Sequence, residues 1–158
     1  MSDYNNNLGR FFEDYAVGDI ITHATPRTLT EADASLYISI YPTRFALQSS
    51  AEFARNCGLK DRPLDDLIVF HTVFGKTVPD ISINAVANLG YAEGTFSNMV
   101  FSGDTLSVTS EIIGLKQNSN GKTGIVYAKT KGQNSTGETI LEYKRWVMVK
   151  KRFVGVED

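Results

Sequence analysis

Two histidines, one cysteine and one pair of adjacent aspartates are the first residues in which to look for proton transfer, nucleophilic attack or metal binding. His23 and His71 stand far apart and Cys57 is alone, so the close His/Cys spacing of a metal site is missing and no metal is expected. A lone Cys57 excludes an internal disulfide, fits a reducing compartment and reads as a small buried apolar residue. Asp66 and His71 are the tempting acid–base pair, because an imidazole held by a carboxylate can exchange protons near neutral pH. On an ideal helix five residues turn through about 500°, which leaves the two side chains roughly 140° apart. His71 falls instead on the stripe of Leu67, Phe74 and Gly75, which predicts a packed, hydrogen-bonded core histidine. His23 lies on a short strand candidate, where an edge or surface role is expected. Asp65 and Asp66 open a helix and suit its dipole; a substrate or subunit contact and a general-base role are their other open roles. No glycine loop able to cradle a phosphate is present.

These side chains must be positioned by elements that the pattern makes legible. The 158 residues suffice for one domain with one core, 42% of them hydrophobic and 22% charged. A net charge of −2 speaks against nucleic-acid binding. No apolar run nears the length needed to cross a bilayer, and the polar start MSDYNNN lacks a signal-peptide core, so a cytoplasmic protein with no membrane contact is expected. Residues 1–8 read as a disordered leader, 9–152 as the domain and 153–158 as a tail. A strand is predicted over 20–24 and a helix from Thr30 to about Tyr41, stopped by Pro42. Further helices are predicted over 50–57, ending before Gly58, and over 65–78, with Pro79 just after. Strands are predicted over 85–96, 104–115, 122–133 and 139–150 with turn chemistry between them, which implies an antiparallel meander. In the last strand Leu141, Tyr143, Val147 and Val149 share a face. Trp146 and Met148 lie opposite as candidate glue for a partner, and Lys144, Arg145, Lys150, Lys151 and Arg152 read as a solvated strand end or a contact to the phosphates of a ligand. Helices followed by a curled antiparallel sheet make the chain α+β.

An ordered set of segments resembles the MaoC-like hotdog dehydratases. It comprises Gly9–Asp14 with Val17–Asp19, Thr28–Asp33, Ala51–Arg55, Val78–Asp80, Asn84–Gly90 and Gly103–Leu106. More closely, Tyr41–Ser50, Asp65–Asp80 and Leu141–Arg152 are similar to the N-terminal half of that family's mesaconyl-CoA hydratase (β-methylmalyl-CoA dehydratase) branch. The resemblance implies a single hotdog, an antiparallel sheet wrapped round a central helix, that pairs with a second one. An acyl-CoA thioester would bind between the two as substrate, with no further cofactor.

Active hotdogs of this family carry an Asp and a His five residues apart, and a helix-start Gly whose neighbouring N–H groups face the thioester oxygen. Carried over, these positions fall on Thr43, Gln48 and Asp66. An amide and a hydroxyl cannot exchange protons near pH 7, and Asp66 would place negative charge where negative charge must develop. The resemblance therefore implies a non-catalytic half, in which Arg44, Gln48, Asp65 and Asp66 help shape the acyl-CoA pocket and buttress a catalytic hotdog. Two other readings stay open: a self-sufficient homodimeric hydratase or thioesterase using Asp65, Asp66 or His71, and a binding or regulatory hotdog without chemistry.

Overall fold

The computed structural model describes residues 9–42 and 45–152. The expectations for the leader 1–8, the tail 153–158, Thr43 and Arg44 lie outside the described residues. A 3-10 turn at Phe12–Asp14 leads to β1 (Ile20–Thr22) and β2 (Arg27–Thr28). Helix α1 (Glu31–Ile40) begins at a capping box: Thr30 Oγ1 accepts from the Asp33 N–H, and the Asp33 carboxylate accepts from the Thr30 N–H at 2.9 Å. The short α2 (Ala46–Ser49), which the pattern does not reveal, precedes α3 (Ala51–Asn56). Gly58 at φ +89° follows α3, a backbone angle that favours glycine. Asp65 caps α4 (Asp66–Thr77), accepting from the Leu67 N–H at 2.8 Å. Pro79 does not end the helical path as expected. A π-helical turn over Val78–Ser82 carries it on, because a proline near the start of that turn needs no N–H partner.

The long strands are β3 (Ala85–Phe96), β4 (Thr105–Gln117), β5 (Thr123–Gln133) and β6 (Thr139–Lys150), close to their predicted bounds. Their order corrects the expected meander. The sheet runs β1-β4-β5-β6-β3, with β2 also on β4, so β3 pairs with β6 and not with its sequence neighbour β4. The link from β3 to β4 instead crosses the fold and is pinned where the Leu64 N–H donates to the Val100 carbonyl at 2.8 Å. The result is an antiparallel sheet packed on α4, with β3 at its edge.

Two apolar clusters fill the interior. The first joins Val69 and Val73 of α4 to Leu106, Val108, Leu141 and Tyr143. The second joins Tyr15, Ile21 and Ile81 to Ile112, Val126, Ala128, Val147 and Val149. Where each inward row passes from one cluster to the other it carries a polar residue: Ser110 on β4, Thr130 on β5, Arg145 on β6 and Thr77 on α4, all buried. The core is thus crossed by a polar band.

Candidate functional site

Gln48 ends up buried on α2, just before the Ser50 cap of α3. Its carbonyl accepts from Arg62 Nη1 at 3.1 Å, and the same guanidinium pairs with Glu31 of α1, so one arginine ties the loop to two helices. Asp65 spends its carboxylate on the cap. Asp66 starts α4; desolvation, and then the Asp65 charge, raise its pKa above the usual carboxylate value. No hydrogen bond or ion pair joins Asp66 to His71 among the described residues. His71 is exposed, which corrects the expected core histidine: its supposed stripe companions Leu67 and Gly75 are exposed too, because α4 buries the Val69, Val73 and Thr77 face. The His71 ring lies among aromatics instead, 6.3 Å from Tyr37 and 5.9 Å from Phe70 between centroids.

Those contacts belong to a longer strip. From the exposed Tyr41 it passes through Tyr37, His71 and Phe70, and on to Phe74 and Tyr91 at the β3 edge. It turns inward at Tyr143, 5.1 Å from Phe70. Arg145 lies beside this inner end, its guanidinium carbon 4.9 Å from the Phe74 ring centre.

Arg145 and His23 correct two further expectations. Both were read as surface groups, and both are buried, at 0% and 5% exposure. His23 Nδ1 lies 2.7 Å from Asp80 Oδ2, and Nε2 lies 2.8 Å from Ser110 Oγ, which in turn meets Thr130 Oγ1 at 2.8 Å. The tautomer suited to this chain donates from Nδ1 to the carboxylate and accepts at Nε2 from the serine hydroxyl. Burial outweighs the Asp80 carboxylate and leaves the His23 pKa below the ordinary value. Arg145 has no such relief. None of its three side-chain nitrogens makes a hydrogen bond of good geometry among the described residues, although the Tyr91 hydroxyl is near; the Tyr143 hydroxyl makes none either, with the Thr77 and Thr130 hydroxyls nearby. Strict alternation along β6 (Leu141, Tyr143, Arg145, Val147, Val149) is the signal by which sequence reading could have placed Arg145 inside. Nothing in sequence joins His23 to Asp80.

Three smaller placements complete the picture. Cys57 is exposed and not buried, because it caps the C-terminus of α3 on the outside. Trp146 and Met148 are half-buried, not open, and Trp146 stacks on Tyr127 and lies directly over Gly90. Lys150 and Arg152 are exposed as expected, and Arg152 pairs with Asp14 at 2.6 Å.

An antiparallel sheet folded on one helix, with Gln48 near the end of α2 and Asp66 at the start of α4, has the MaoC-like hotdog fold. A double-hotdog protein of Mycobacterium tuberculosis has the same fold, with a TM-score of 0.86 over 95% of this chain and 47% of its own, at 23% identity. A MaoC domain protein dehydratase from Chloroflexus aurantiacus superposes with a TM-score of 0.92 at 58% identity, over 96% of this chain and 43% of its own. Within that class the chain belongs to the mesaconyl-CoA hydratase family, which it matches over residues 3–158. It is 61% identical over 146 residues to the β-methylmalyl-CoA dehydratase of C. aurantiacus and 60% identical to the mesaconyl-CoA hydratase of Cereibacter sphaeroides. These matches cover 92% of this chain but only 42% and 43% of those relatives. The chain thus spans less than half of their length.

Proposed function

We propose that this chain is the non-catalytic hotdog of a hydro-lyase that acts on a short enoyl-CoA or 3-hydroxyacyl-CoA of the mesaconyl-CoA/β-methylmalyl-CoA type. The observation that supports the reading is Gln48, a buried amide at the position where the family resemblance expects the proton-transferring histidine. Neither histidine offers a substitute: His23 is engaged with Asp80 and Ser110, and His71 is exposed among aromatic rings. The relatives' greater length supports a second hotdog, in the same polypeptide or as a partner subunit, that brings the Asp/His pair. The edge strand β3 is the seam we assign to it. Val86, Leu89 and Tyr91 of β3 are 54%, 41% and 45% exposed, and an unpaired apolar edge is the kind of surface a second sheet covers.

The test is to follow loss of the enoyl-thioester absorbance with this chain alone and with the chain joined to its second hotdog. The lone chain should fall short by about 10²–10⁴-fold, the usual worth of an acid/base group. Turnover by the lone chain equal to that of the assembly overturns the reading. Among the described residues Asp66 is the one carboxyl group whose pKa is raised, which makes it the rival base. On the non-catalytic reading Asp66→Asn should leave the assembly's rate within a few-fold, and a loss of about 10²-fold or more would transfer the chemistry to it.

A further inference from the structure

Buried ionised side chains in proteins are almost always paired, and an arginine does not escape the requirement by losing its proton. Arg145 departs from that rule: it is fully enclosed, and none of its three nitrogens makes a hydrogen bond of good geometry among the described residues. After burial, the groups that act on it most are three phenols, Tyr143, Tyr91 and Tyr15, and not a carboxylate. A second orphan donor stands next to it on the same face of β6, the buried Tyr143 hydroxyl. The nearest acceptors to these two adjacent donors are hydroxyls, Tyr91 for the guanidinium and Thr77 and Thr130 for the phenol, with no carboxylate among them; they form the complement of a carboxylate, whose two oxygens take a guanidinium fork and leave lone pairs for a hydroxyl.

The position is as telling as the chemistry. Above the guanidinium lies the Phe74 ring, half-buried, which meets the Tyr91 ring of β3 at 6.0 Å; Tyr91 is 45% exposed. The pair therefore lies beneath two rings at the sheet edge where the second hotdog is assigned.

We propose that Arg145, with the Tyr143 hydroxyl, is the binding site for a free carboxylate at the far end of the acyl group. A mesaconyl-CoA-type substrate, a short dicarboxylic acid held as a thioester at one end only, carries such a group, and the new assignment is the pair of residues that receives it. The proposal rests on the hydro-lyase reading for the direction from which the acyl group arrives. It adds that this half selects the substrate's charge while the other half performs proton transfer.

The test uses the assembled two-hotdog protein. Binding of mesaconyl-CoA and of the uncharged isostere with a methyl in place of the carboxylate is measured by calorimetry, beside hydration of both. The wild-type assembly should prefer the carboxylate-bearing thioester, and Arg145→Met should cut that preference roughly 30- to 1,000-fold while binding of the isostere changes little. Arg145→Lys, which keeps the charge but not the fork, should lose at least about tenfold and decides the matter if the methionine variant does not fold. An unchanged preference in the variants, equal loss for both thioesters, or no wild-type preference overturns the proposal. Binding preference without any hydration would reject the hydro-lyase reading and leave the carboxylate site standing.

Discussion

His23 and His71 share one chemistry and have opposite surroundings, which makes the buried one the better probe of the fold. In the unfolded chain His23 titrates near the ordinary histidine value of about 6.5; in the folded chain burial lowers that value despite Asp80. Below about pH 6.5 the unfolded state therefore binds more protons than the native state. The stabilisation is full above that pH and is lost as pH falls through the lowered folded value. Melting temperature followed from pH 7.5 to 5 should show this acid limb, and His23→Asn should flatten it while costing about 1–3 kcal/mol at pH 7.5 through the disrupted hydrogen bonds. An unaltered acid limb in the variant would assign the loss to other groups. Little of this was legible beforehand. Alternation with Ile21 places His23 inside, but its partner lies on the π-helical turn, and the length of that turn past Pro79 has no local sequence signal. The reading of Gln48 and Asp66 as degenerate catalytic positions rests on matching motifs, which needs no coordinates.

At the scale of elements, strand bounds follow from β-branched alternation and turn residues, and all four long strands fall within about two residues of their expected limits. Strand order does not follow, since hairpin-like spacing between β3 and β4 is equally compatible with a crossing loop. The sheet's fit to α4 gives a sharper test. A Cβ added at Gly132 of β5 would stand 2.6 Å from Val73 Cγ2 on α4, so this glycine is what lets helix and sheet approach. Gly132→Ala should destabilise by about 1–3 kcal/mol in urea melts. Adding Val73→Ala should recover part of that loss, because the smaller helix residue vacates the clashing space; strict additivity of the two changes would show that the contact is not the cause.

For the molecule as a whole, the proposed association rests on one edge. Leu89→Lys on β3 puts a charge where a second sheet is assigned, and should shift the assembly toward separate hotdogs in sedimentation while leaving the fold of each intact. An unchanged sedimentation profile would move the seam elsewhere. The β3–β6 ladder already breaks register in three places, and Glu93 sits within the last irregular stretch at a positive φ of 52°. Irregularities of this kind make a strand a poor template for indiscriminate growth. Straightening that stretch, for instance by removing a residue next to Gly94, would turn a selective docking rim into a sticky one, and the visible cost would be clumping during expression and not a lower melting point.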